Sequence, residues 1–315
     1  MNNSDTMSYR HLFGPVPSRR LGVSLGIDLV PHKTCTLDCV YCECGTTTNL
    51  TIERKEYVPV SEVIDELDDF LSRGPKLDYL TFSGSGEPTL NSGIGKIAIF
   101  IKEKYPQYKL ALLTNGTLFF DPEVRKEVLS CDVIIPSLDA GSKECFDIIN
   151  RPQKDLDIEQ IIEGFRALRQ EFHGEIWMEV LIVPCCNDKE WELSIIRKHL
   201  SEIRPDKVQI NSLDRPGTED WVSGTSKVEL ERIARYLGAE VVGKPTGIVN
   251  LDSFHDNIMD SIVSTIERRP CTVKDLSKVL GIHTNEINKY LNYLDEKGLI
   301  ATEKRERGTV YKIKR

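Results

Sequence analysis

Cys35, Cys39 and Cys42 lie in the run HKTCTLDCVYC, His32 to Cys42, at the spacing CxxxCxxC. Thiolates are the ligands that iron–sulfur clusters take. Three of them on one loop can fold around one face of a cubane and leave one iron without a protein ligand. That arrangement suits a cluster that performs chemistry better than one that only relays electrons. A tetrahedral structural zinc would need a fourth donor, and Cys44 can supply it. Spacing alone leaves both readings open. His32 reads as a structural hydrogen-bonding residue.

The setting favours metal or thiol chemistry over disulfides. The chain of 315 residues holds nine cysteines, and Met1 to Arg10 is polar, without the apolar core of a signal peptide. No run of about 18 apolar residues is present. A cytoplasmic protein with no membrane contact is the expectation. Cys131 and Cys145 read as apolar fillers, and Cys271 needs no function. Cys185 and Cys186 are adjacent, so along an extended chain they face opposite ways and one can face a site. Cys186 is therefore a candidate hydrogen-atom donor or sulfur carrier.

The elements that must position these residues alternate in period. Val23–Val30, Leu77–Phe82, Lys109–Leu113, Val133–Ser137, Ile176–Val183 and Lys207–Asn211 are short, apolar and rich in branched residues, as strands buried on both faces are. Between them, Ser61–Arg73, Gly95–Tyr105, Pro122–Leu129, Ser142–Ile149, Ile158–Glu171 and Asp188–Ile203 carry helical patterns with Ser, Asp or Pro at several of their starts. Six strand–helix repeats require parallel strands joined by right-handed crossovers. Six are too few for a closed eight-stranded barrel, so an α/β fold with an open, partial (β/α)6 TIM-type barrel is expected over residues 1–251. A further helix, Lys227–Leu237, leads to a short strand near Glu240–Gly243.

Residues 252–315 read as a second, smaller domain after a linker at Asn250–Asn257. Helices over Ile258–Glu267, Val273–Leu280 and Asn285–Lys297 precede a strand pair, Leu299–Glu303 and Thr309–Ile313. Three helices followed by a hairpin is the winged helix-turn-helix pattern. From Arg268 onward the chain carries twelve Lys/Arg and six Asp/Glu, a net +6 on a chain of net −8, so the remainder carries −14. Any contact with a polyanion such as RNA is expected in the tail, through the basic hairpin more than through the third helix; docking of a protein substrate, or packing on the barrel as a lid, is an equal alternative for this module.

Polar motifs recur just after successive strands. Ser83-Gly84-Ser85-Gly86-Glu87-Pro88-Thr89 follows the second, Leu113-Thr114-Asn115-Gly116 the third, and Ser137-Leu138-Asp139-Ala140 with Asn150-Arg151-Pro152 the fourth. Asn187 follows the fifth, and Asn211 ends the sixth. The carboxyl ends of strands are where βα barrels build their sites.

With CxxxCxΦC, where Tyr41 is the aromatic, these motifs resemble those of the radical S-adenosylmethionine superfamily from Phe13 to about Arg215. The resemblance implies a four-iron four-sulfur cluster held by Cys35, Cys39 and Cys42, and S-adenosylmethionine bound at its open iron. It implies cofactor contacts from Tyr41, Ser85, Gly86, Glu87, Asn115, Ser137, Asp139, Asn187 and Asn211. Ser85 stands where the family's Gly-Gly-Glu motif has its first glycine. It further implies one-electron cleavage of the sulfonium to a 5′-deoxyadenosyl radical, hydrogen abstraction from a substrate, and an electron donor such as a ferredoxin or flavodoxin. The stretch FGPVPSRRLG, Phe13 to Gly22, resembles short radical enzymes related to the wyosine-base synthases of transfer RNA. An RNA nucleoside is therefore the expected substrate, with a protein side chain or a small metabolite as alternatives. Arg19, Arg20 and Arg215 are candidate grips for a phosphate or carboxylate, and Lys33 is a candidate condensing lysine. A reading from another class, an iron–sulfur sensor that binds DNA, predicts no turnover.

Overall fold

The computed structural model describes residues 9–18, 20–213, 217–242, 258–280, 282, 284–305 and 308–314. The expected linker, Arg19, Arg215, Gly281 and most of the hairpin turn lie outside them. The six expected strands form as β2 (Gly22–Ile27), β5 (Tyr79–Phe82), β6 (Lys109–Thr114), β7 (Val133–Pro136), β8 (Glu175–Ile182) and β9 (Lys207–Ser212). Each pairs in parallel with the next, and β10 (Glu240–Val241) extends the sheet beside β9. One strand is additional. β1 (Leu12–Ser18) runs antiparallel to β2 and forms the opposite edge. Its pairing is interrupted between Phe13 and Val16, where Gly14 and Pro15 sit. Proline lacks the N–H a central strand must donate, which confines it to an edge like this one. A small parallel pair, β3 (Thr34–Cys35) and β4 (Asn49–Leu50), braces the thiol loop.

The helices are α1 (Val60–Leu71), α2 (Ile94–Lys104), α3 (Pro122–Val128), α4 (Lys143–Ile149), α5 (Ile158–Glu171), α6 (Glu190–Ile203) and α7 (Lys227–Leu237). Asp121, Ser142, Asp157 and Ser226 cap four of them by accepting backbone N–H bonds at the first turn. Gly238, at φ +67°, ends α7 in the left-handed conformation that glycine takes without cost.

Alternation along each strand separates two apolar sets. Leu110 and Leu112 of β6 join the large core under the helices, with Val63, Leu67, Ile161 and Phe165. Ala111 joins a separate cluster with Leu21, Val133, Ile135 and Trp177. Arg20, beside β2, forms an ion pair of 2.6 Å with Glu179 of β8. In the sheet order, β5, β6 and β7 lie between β2 and β8. A flat sheet would put them roughly 19 Å apart at about 4.8 Å per strand. No arginine bridges that gap, so the sheet curls, and Arg20–Glu179 spans its lumen above the second apolar cluster.

The remaining elements are α8 (Ile258–Arg268), β11 (Cys271–Thr272), α9 (Val273–Leu280), α10 (Thr284–Glu296), β12 (Ile300–Arg305) and β13 (Gly308–Ile313). The three strands form their own sheet in the order β11-β13-β12. Ile262, Ile266, Leu276, Ile287, Leu291 and Ile300 make a core of their own, and Val16 of β1 packs against it. Among the described residues no helix is long and apolar enough to cross a membrane.

Gly164 generates a test of this packing. It lies inside α5, where alanine is favoured over glycine by about 1 kcal/mol. A Cβ here would stand 2.5 Å from the backbone carbon of Phe119 and 2.6 Å from the amide nitrogen of Phe120. Backbone cannot swing aside, so Gly164→Ala should destabilise by about 1–3 kcal/mol. Urea unfolding checks the sign, and a stabilised variant would refute this close approach.

Candidate functional site

The thiol loop is held from several sides by main-chain bonds. Lys33 N–H donates to Ser85 O at 3.0 Å, and Glu87 N–H to Thr34 O at 3.0 Å. Asp38 and Val40 N–H donate to Asn150 O and Ile149 O at the end of α4, at 3.0 and 2.9 Å. Cys42 N–H closes a turn onto Cys39 O at 3.1 Å. Gly86 makes the first clamp possible, because a Cβ there would stand 2.1 Å from Thr34 O.

Each thiol meets a nitrogen donor from a different place. Lys33 Nζ lies 3.0 Å from Cys42 Sγ, Asn115 Nδ2 3.6 Å from Cys35 Sγ, and Asn150 Nδ2 3.4 Å from Cys39 Sγ. The environment sorts their acidities. The Cys44 thiol bonded to Cys42 and the Lys33 ammonium together bring Cys42 down to about 5. Burial pushes Cys35 up to about 12, with Glu87 adding to it, and burial with Asp139 raises Cys39 strongly. Cys42 is thus ionised in the fold, whereas Cys35 and Cys39 must lose protons when they ligate.

The donor set tests the two metal readings. A zinc ion draws its sulfurs within about 2.3 Å of one point. Among the described residues, no three His, Cys, Asp or Glu side chains converge in this way on a single ion. Thiolates that each ligate a different iron of a cubane need no such convergence. Three thiols on one loop, each beside a nitrogen donor, are a donor set that a cluster fits.

The polar residues at the strand ends divide into braces and linings. Glu87 is buried, and its carboxylate accepts from Thr89 N–H at 3.0 Å, Thr89 and Thr114 hydroxyls at 2.6 Å, and Asn115 N–H at 2.8 Å. Burial pushes its carboxyl pKa up despite these donors. Asp139 accepts from the Tyr41 hydroxyl, from Asn150 Nδ2 at 3.1 Å and from Leu181 N–H at 2.9 Å. Burial pushes its carboxyl up to about 6. Asn187 donates to Asp139 O and Leu181 O at 2.8 and 2.7 Å and accepts from Val183 N–H at 2.7 Å. Its amide is fully engaged within the protein. Asn211 donates to Glu179. Asn115, Ser137, Asp139 and Asn150 line a recess of about 10 Å3 with Phe146 and Ile158. Asn150 Oδ1 is buried there without a hydrogen-bond partner. The recess has polar groups suited to a ribose or an amino acid, but a nucleoside requires it to widen.

Other expected residues fall elsewhere. Lys33 is buried and turned onto Cys42, held as a cation by that thiolate although burial pulls the other way. Cys185 is exposed, at φ +67°, and Cys186 is half-buried against the large core. Neither lines this recess. Two residues had no signal in the motifs. Glu179 organises Arg20 and Asn211 across the lumen. Thr218 donates to Cys39 O at 3.3 Å and Cys42 O at 3.2 Å, and Gly217 beside it leaves room for the Tyr41 backbone.

Residues 29–195 match the model of the Radical SAM superfamily. The chain is 32% identical over 291 residues to a UPF0026 protein of Methanocaldococcus jannaschii, covering 89% of this chain and 90% of that one. It is 33% identical over 302 residues to a Brachyspira hyodysenteriae protein named GTPase Obg. That match covers 93% of this chain but 44% of the relative, so the chain spans less than half of it. A radical SAM methyltransferase from Sphaerobacter thermophilus has a similar fold, with a TM-score of 0.54 at 18% identity over 69% of this chain and 65% of that one.

Asn187→Ala separates a brace from a ligand contact. It leaves Val183 N–H and two carbonyls without partners in a fully buried site, at a cost of about 2 kcal/mol or more. Thermal unfolding should show a midpoint lower by several degrees. An unchanged midpoint would return Asn187 to the cofactor.

Proposed function

The chain belongs to the Radical SAM superfamily and to the UPF0026 family, and from that premise we propose that it is a radical enzyme in which Cys35, Cys39 and Cys42 hold a [4Fe-4S] cluster beside S-adenosylmethionine. The observation that carries the reading is the set of three thiols on one braced loop, each facing its own nitrogen donor. Bound together, a reduced cluster and S-adenosylmethionine supply one-electron cleavage of the sulfonium and hydrogen abstraction from an unactivated C–H bond.

The protein's own work is orientation and exclusion. Asn115, Asn150 and Lys33 direct N–H groups at the sulfurs, which sets the reduction potential. The Tyr41–Asp139 bond fixes the loop toward β7 and β8. Asn115, Ser137, Asp139 and Asn150 offer the cofactor its polar contacts. The floor of Leu21, Ala111, Val133, Ile135 and Trp177 keeps water out of the lower lumen. The C-terminal unit, in this reading a winged helix-turn-helix from about residue 252, acts as a cover on β1. A low-potential ferredoxin or flavodoxin supplies the electron. The expected RNA nucleoside remains one substrate class for this chemistry.

Two measurements test the proposal. Anaerobically reconstituted protein given dithionite and S-adenosylmethionine should form 5′-deoxyadenosine, and Cys35→Ala should form only background. Equal amounts from the two would end the proposal. Asn150→Ala removes an N–H donor from the Cys39 sulfur, so the cluster midpoint should move to a more negative value in a spectroelectrochemical titration. A shift in the opposite direction would contradict the role given to Asn150.

A further inference from the structure

A cavity of about 300 Å3 lies between the lumen and the C-terminal unit. On the sheet side it meets the short residues Ser24, Gly26, Thr81 and Ser83, and on the other side Arg268, the last residue of α8, and Arg269 after it. Glu43 and Cys44 also line it, so it opens beside the thiol loop.

Its polar groups are under-used. Thr81 is 3% exposed, and its hydroxyl has no partner. Asp28 Oδ1, on the carboxylate that Arg268 contacts, has none either, and Arg20 Nη1 lies near Glu179 without an aligned hydrogen bond. Arg268 gives Asp28 one contact, at 3.1 Å, and lays its guanidinium 3.8 Å from the centre of the Phe13 ring. A guanidinium carries five N–H donors, so most of those on Arg268 have no partner among the described residues. Arg269 stands 3.8 Å from Glu43, beyond hydrogen-bonding distance. Arg20, Arg268, Arg269 and the exposed Lys278 line the cavity together with Glu43, while Glu179 and Asp28 pair with Arg20 and Arg268 from outside its lining. The spare N–H groups of Arg268 and the unpartnered Thr81 hydroxyl are of the kind that an oxygen-rich anion satisfies. At about 30 Å3 per water, the volume equals roughly ten waters. That is the scale of a small metabolite and not of a nucleic-acid strand.

We infer that this cavity binds a small, hydroxyl-bearing organic anion as the substrate. Its carboxylate or phosphate is gripped by Arg268 and Arg20, and a hydroxyl is met by Thr81. The C-terminal unit is then a lid that completes the site with an arginine of its own. Calling this ligand the substrate rests on the radical reading above; the anion binding does not.

Calorimetric titration of the reconstituted full chain tests this. The probes are glycerol 3-phosphate and D-glycerate, compared with uncharged D-ribose and with mixed transfer RNA. Both phosphate and carboxylate arms should saturate, with D-ribose at least about tenfold weaker. Arg268→Ala should weaken the anions by about tenfold or more, and Arg268→Lys by less. Thr81→Val, which keeps the side-chain shape, should weaken them several-fold without lowering the unfolding midpoint. The inference is overturned if neither anion binds, if D-ribose binds as tightly, or if Arg268→Ala and Thr81→Val leave anion affinity unchanged. It is also overturned if S-adenosylmethionine displaces the anions, which would make the cavity the cofactor's, or if transfer RNA binds through Arg268 instead. Absence of 5′-deoxyadenosine from the wild-type chain would end the radical reading while leaving Arg268-dependent anion binding in place.

Discussion

The buried carboxylate of Asp139 is the constraint around which the site is arranged. It takes bonds from Tyr41 on the thiol loop, Asn150 at the end of α4 and Leu181 on β8. Its own carbonyl accepts from Asn187. A carboxylate out of water is tolerated only while its donors stay in place. Three separate segments are therefore held in one geometry by the needs of a single side chain. Glu87 plays the matching part on the other side of the loop, joining the ends of β5 and β6. Between them, these two groups position Cys35, Cys39 and Cys42 without touching a metal.

Much of this was legible in the sequence, for physical reasons. Strands such as Lys109–Thr114 are buried on both faces and read as unbroken apolar runs, while Ile158–Glu171 repeats at the helical period. The CxxxCxxC spacing and the polar motifs after successive strands mark segments that the structure brings together. β1 escaped because Pro15 and Pro17 look like breakers, and only its edge position makes them acceptable. Glu179 escaped because a carboxylate inside an apolar strand has no motif; its partner Arg20 lies in another strand's turn. Asn187 and Glu87 were found as positions but take structural partners, since sequence says which polar side chain is near a site and not which bonds consume it.

Composition separated the acidic body from the basic tail, and the structure adds where the two meet. Phe13 lies against Gly26, where any Cβ would overlap its ring, and carries the Arg268 guanidinium on its other side. Val16 enters the core of the C-terminal unit. An exposed basic hairpin explains part of the tail's charge, while Arg268 and Arg269 face the enclosed space beside Ser83 and Cys44.

The contact between Asp28 and Arg268 joins residues 240 positions apart. Closing a loop of that length costs about 5 kcal/mol of chain entropy beyond a constant term. Such a contact does not form while the intervening chain is loose; it follows the strands and helices that bring its ends together. Assembly therefore has an order. The vessel is made first with its top open, the thiol loop is accessible during that interval, and the segment that carries Arg268 shuts it.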